Sequence, residues 1–99
     1  MPIAVFAKPY NISLNQDISK ITAEIRAKLG AKVLYSGGSV IFKLKWPAMF
    51  ENEKNVFEAV IVYGKAMANV LSTNQAGEVT ITAFGEGLIP GKVDLLIRW

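Results

Sequence analysis

Asn55-Val56-Phe57-Glu58-Ala59-Val60-Ile61-Val62-Tyr63-Gly64-Lys65-Ala66-Met67-Ala68-Asn69-Val70-Leu71 is the stretch whose reading decides the fold. Its first half is rich in β-branched and aromatic residues, which favour strands. At roughly 3.6 residues per turn, however, Lys54, Glu58, Lys65, Asn69 and Ser72 gather on one side, and Val56, Val60, Tyr63, Met67 and Val70 gather opposite. A two-residue period gives no comparable separation. The periodicity therefore predicts an amphipathic helix from about Asn52 to Thr73, with Gly64 and Ala68 on or beside its buried face.

Towards the N-terminus the same criterion predicts a second helix. Ser13-Leu14-Asn15-Gln16 has the form of a capping box, with Asn15 an alternative cap. Ile18, Ile21, Ile25 and Leu29 then share one helical face, Lys20, Glu24 and Lys28 lie opposite, and Gly30 supplies the stop. Ile3 to Lys8 precedes it as a strand closed by Pro9. Between the helices, Val33 to Ser36 and Ser39 to Trp46 flank Gly37-Gly38 as a hairpin ended by Pro47. In its second arm Val40, Phe42, Leu44 and Trp46 alternate with Ile41, Lys43 and Lys45. Beyond the breakers Asn74 to Gly77, Val79, Ile81 and Ala83 alternate with Thr80, Thr82 and Phe84. After the Gly85–Gly91 loop, Val93, Leu95, Ile97 and Trp99 alternate with Asp94, Leu96 and Arg98.

The order β-α-β-β-α-β-β predicts an α+β fold over a single domain, residues 1–99. It is a two-layer, ferredoxin-like sandwich with an additional C-terminal strand and both helices on one face of an antiparallel sheet. The chain of 99 residues, 52% hydrophobic and 19% charged, suffices for one real core.

Composition narrows the chemistry. There is no cysteine and no histidine, which removes thiolate sites, serine triads and the usual zinc and copper ligands. The eight acids are scattered without the spacing of a calcium loop, so neither a metal nor a cofactor is expected, and catalysis is not expected either. Gly85-x-Gly87 precedes a strand rather than a helix and is no phosphate loop. The net charge of +3 is modest, and no run of 18 apolar residues suggests a membrane span. Met1 to Pro9 lacks a basic leader and is too short for a secretory hydrophobic region, so a cytoplasmic location is expected.

A sheet covered by helices on one side leaves the other side open. That face would carry Ile41, Lys43, Lys45, Thr80, Thr82, Phe84, Leu96 and Arg98, with Phe6 beside them. The mixture is too apolar for an ordinary solvated surface, which predicts a homo-oligomer, a dimer first of all, and a non-catalytic interaction or binding module. Single-stranded nucleic acid is the alternative partner, with Lys43, Lys45 and Arg98 on phosphates and Phe6 and Phe84 stacking on bases. The chain order is similar to that of an RNA-recognition motif, but Ser39 to Trp46 lacks the Lys/Arg-Gly-Phe/Tyr element of that family. Two loops, one with Met49 and Phe50 and the other with Leu88 and Ile89, are either core lids or contact tips.

Met1-Pro2-Ile3-Ala4, followed by a strand and a predicted helix, resembles the opening of the tautomerase superfamily. The resemblance implies that Pro2, freed of Met1, is a catalytic base. Members of that family also hold substrate with cationic residues. Here position 11 is Asn11, the arginines are Arg26 and Arg98, and Lys32 could substitute. Acylphosphatases share the predicted strand order, but their arginine-bearing phosphate loop is missing after the first strand.

Overall fold

A computed structural model describes residues 1–26 and 38–99. It is an all-β sandwich of two sheets, and no helix occurs among the described residues. The ferredoxin-like α+β expectation is thereby overturned. The strands are β1 (Ile3–Lys8), β2 (Asn11–Ser13), β3 (Ile18–Ile25), β4 (Ser39–Lys43), β5 (Ala48–Phe50), β6 (Val56–Val60), β7 (Lys65–Ser72), β8 (Gly77–Phe84) and β9 (Gly91–Arg98). One sheet has the order β1-β3-β7-β5, the other β2-β9-β8-β4-β6. Neighbours are antiparallel except β2 and β9, which run parallel.

Within the described residues, both predicted helices are replaced by strands. In β3, Ile21, Ala23 and Ile25 are buried while Lys20 is exposed and Thr22 and Glu24 are half-buried. Asn15 and Gln16 adopt positive φ of 66° and 64°, so the supposed capping box is a turn. In β7 the inward residues are Ala66, Ala68, Val70 and Ser72, the outward ones Lys65, Met67, Asn69 and Leu71. Small residues point inward and two large apolar ones outward, so hydrophobicity does not alternate although burial does. The strand opening that the tautomerase resemblance relied on is therefore followed by further strands. Pro2 itself forms a β-bridge with Ile89, and its carbonyl accepts the Arg26 N–H at 2.9 Å. Lys28 and Leu29 of the first predicted helix, its expected stop at Gly30, the strand Val33–Ser36, Gly37 and Lys32 lie outside the described residues.

β1 lies where the sequence predicts a strand, and β4, β8 and β9 keep the inward sets read from alternation except for Trp46 and Trp99, which are exposed. Val40, Phe42, Val79, Ile81, Ala83, Leu95 and Ile97 are buried on the five-stranded sheet, and Ile3, Ile21, Ile25, Phe50 and Val70 meet them from the other sheet. Phe50 joins the sheets, 6.3 Å from the Phe42 ring and 6.0 Å from Phe57, in tilted geometries favoured by aromatic pairs.

The first segment serves both sheets. It runs with β3 as β1, crosses at Pro9, and pairs with β9 as β2. Two fully buried hydroxyls fix the crossing. Ser19 Oγ donates to the Pro9 carbonyl at 2.6 Å. Ser72 Oγ donates to the Ser13 carbonyl at 2.6 Å and accepts the Asp17 N–H at 3.0 Å. The Ser13 and Ile18 N–H groups donate to the Asp17 carboxylate, each at 2.9 Å, and hold its pKa below the ordinary value.

Two outcomes follow from this packing. Phe42→Ala should lower the unfolding free energy by about 3–5 kcal/mol in urea titration, the range for deleting a fully buried aromatic ring. Asp17 has a depressed folded-state pKa, so its contribution is present above the unfolded value of about 3.9 and is lost as pH falls through the lowered folded value. Asp17→Ala should therefore reduce the denaturation midpoint at neutral pH, and the two proteins should converge in strong acid.

Candidate functional site

Strand alternation sends every second residue of the five-stranded sheet outward. Ile41 and Lys43 from β4, Thr80, Thr82 and Phe84 from β8, and Leu96 and Arg98 from β9 share that outer face, with exposed Lys45 just past β4. Sequence reading thus gathered a set that the structure also places together, although a second sheet, not a helical layer, covers the inner side. Phe6 does not belong to it. It lies on the outer face of the other sheet with the Arg26 guanidinium 5.8 Å from its ring centroid. The two aromatic platforms imagined for nucleic acid are thus on opposite sides of the molecule.

Register orders the face. Ile41 stands between Phe84 and Glu58, and Lys43 between Thr82 and Val56. The Lys43 ammonium sits 5.3 Å from the Phe84 centroid, a cation–π contact that occupies both groups. Thr80 donates to Asp94 at 2.7 Å, and Ser39 donates to Glu58 Oε2 at 2.6 Å. Ile41, Phe84 and Leu96 are 38%, 37% and 47% exposed, and β6 adds Val56 at 41% and Val60 at 67%. Of the residues expected in loops, Met49 and Phe50 instead form β5, Phe50 in the core and Met49 half-buried, while Leu88 is half-buried and Ile89 exposed. Trp46 is exposed, its indole N–H donating to Gln75 Oε1 at 2.8 Å.

The sequence reading missed the edge of this sheet. β6 turns into β7 through Tyr63 and Gly64, whose φ of 50° and 78° and whose Val62–Lys65 hydrogen bonds (2.8 and 3.1 Å) make a two-residue primed turn. This hairpin carries the chain from one sheet to the other and leaves the side of the sandwich open. β5 pairs with β7 only at Val70, Leu71 and Ser72. A groove of about 740 Å³ runs along the opening, lined by Phe57, Ala59, Val62, Tyr63 and Met67. Glu24 and Lys65 mark one end, and Glu24 also holds Arg26 at 2.6 Å.

The backbone of β6 is half used. Leu44 N–H bonds to Asn55 O and Ile61 N–H to Gly38 O, both at 3.1 Å, which makes 40/59 and 42/57 the hydrogen-bonded pairs of the β4–β6 ladder. The N–H and C=O groups of Glu58 and Val60 therefore point outward, and among the described residues nothing bonds to them. The signal for the strand and its turn, though not for its place at the edge, was the run of strand formers from Val56 to Tyr63 followed by Gly64.

Among the described residues no group of three or more acidic, histidine or cysteine side chains could hold a metal, and no helix is long and apolar enough to cross a membrane.

The architecture is that of a small β-sandwich domain. No protein-family model matches the sequence, and no curated protein matches it. Solved structures do match in fold. A glycosyl hydrolase family 2 member from Bacteroides cellulosilyticus superposes with a TM-score of 0.85 at 19% identity, over 99% of this chain and 14% of that one. A β-glycosidase from Bacteroides vulgatus gives 0.81 at 19% identity, over 96% and 14%. The chain thus spans about one seventh of these large proteins. A conjugative transposon lipoprotein from Bacteroides eggerthii is similar over almost its whole length, 99% of this chain and 98% of that one, with a TM-score of 0.55 and 9% identity. At these identities the likeness is one of fold.

Tyr63 is a non-glycine residue in left-handed backbone, where the strain of a side chain costs roughly 1–2 kcal/mol and asparagine is tolerated. Tyr63→Asn should raise the unfolding free energy by about 0.5–1 kcal/mol in urea titration.

Proposed function

We propose that the chain is a non-catalytic β-sandwich interaction module that self-associates through its five-stranded sheet, as a dimer. The observation that carries the reading is the apolar half of that sheet, where Phe84, Ile41, Val56 and Val60 stand exposed around Glu58 and end at an edge strand. Contiguous exposed apolar surface of this kind marks interfaces more often than ligand-free skin. The partnership of Lys43 with Phe84, and the removal of Phe6 to the far side, favour a protein partner over a nucleic acid.

The fold likenesses support an accessory role of this kind. In the two glycoside hydrolases named above, the matching part is a small fraction of a long chain. The lipoprotein match has the fold as nearly its whole length. Fold by itself assigns no activity, so the proposal rests on the surface.

Multi-angle light scattering from low micromolar to millimolar concentration tests it. The mass should rise towards twice the 10.8 kDa of one chain. A constant single-chain mass across that range would end the proposal.

A further inference from the structure

We infer that two copies meet edge to edge through β6, antiparallel about a two-fold axis at Ala59, so that their five-stranded sheets join into one continuous sheet. This rests on the reading of the chain as a self-associating module and specifies how the copies touch.

The choice of edge comes first. Unpaired strands invite further pairing, and proteins guard them with short strands, lysine, proline or a covering segment. β2 and β5 are three residues each. β1 is capped at its start, where Ile3 N–H donates to Ile89 O and Ile89 N–H to Met1 O, both at 3.0 Å, and it ends in Lys8. β6 is five residues long, Val56-Phe57-Glu58-Ala59-Val60, with no lysine and no proline, and no strand among the described residues covers it.

The register follows from hydrogen-bond accounting. A two-fold contact is isologous, so each free group on β6 that pairs must be met by the same set on the second copy. The free groups among the described residues are the N–H and C=O of Glu58 and Val60 and the N–H of Val56, whose carbonyl is taken by Asn52. With the axis at Ala59, Glu58 of each copy faces Val60 of the other, four hydrogen bonds form, and only the Val56 N–H at each end of the seam is left to solvent. An axis at Glu58 would set that carboxylate against itself and Val60 against Val56, whose carbonyl already accepts from Asn52 Nδ2 at 3.0 Å. An axis at Val60 would set Glu58 against Val62, whose N–H and C=O are both engaged by Lys65.

Charge and side chains agree with this register. Glu58 is the one ionisable residue of β6, and the Ser39 hydroxyl on neighbouring β4 holds its carboxylate, away from the seam. On the inner side Ala59 meets its counterpart and Phe57 meets Ile61, so the seam is apolar where the two grooves adjoin.

Sedimentation velocity on the whole chain, with Val60→Pro, Val60→Glu and Ile41→Lys, tests the arrangement. Proline at an outward-facing N–H removes no bond of the sandwich itself. Val60→Pro should weaken dimerisation roughly tenfold or more, and Ile41→Lys should leave it unchanged. The Glu58 and Val60 amides should gain exchange protection as concentration rises. If circular dichroism shows Val60→Pro unfolded, Val60→Glu, which sets a second carboxylate against Glu58 of the other copy, carries the same expectation. Dimerisation abolished by Ile41→Lys but kept by the Val60 variants would overturn the edge arrangement and leave self-association standing. A wild-type chain that stays monomeric overturns both.

Discussion

The sandwich depends on one segment that belongs to both of its sheets. Ile3–Lys8 lies beside β3, and three residues later Asn11–Ser13 lies beside β9, so the chain itself clamps the layers at one side. Without disulfides, that clamp is held by buried polar bonds: the Ser19 hydroxyl on the Pro9 carbonyl and the Ser72 hydroxyl on the Ser13 carbonyl. A backbone carbonyl taken from water at the crossing needs such a partner, because an unsatisfied one costs about as much as several good contacts return. Close approach completes the clamp: a side chain at Gly91 would run into the Ile3 carbonyl oxygen.

The opposite side of the sandwich is built differently, and the functional reading comes from that asymmetry. There, β5 covers only the last part of β7, and β6 ends its sheet with half of its backbone unbonded. A closed side and an open side give the module a direction: the first organises the fold, the second presents groove, edge and apolar outer face together.

Four strands and the outward set on β4, β8 and β9 were legible because alternation needs only local sequence, and it holds whatever covers the inner face. Val79, Ile81 and Ala83 point inward under a sheet as they would under helices. β3 and β7 were not legible for a specific reason. Ser19 and Ser72 are wholly buried because they bond carbonyls distant in sequence, while Ile18 and Met67 are half exposed, so hydrophobicity and burial part company at those positions. The β6 edge was hidden for another reason. Whether a strand is central or peripheral depends on non-local pairing, and no residue type in Val56–Val60 records it.

The pairing of β2 with β9 has a consequence for how the molecule is made. Asn11–Ser13 find their ladder partners in Leu96–Arg98, so a strand made early must wait for the last one before its sheet can be completed. Contacts this distant along the chain pay a large loop-closure cost before they return anything, which slows folding. On the ribosome, β3 and β7 can pair as soon as both have emerged, whereas the crossing at Pro9 closes only after synthesis has passed Arg98.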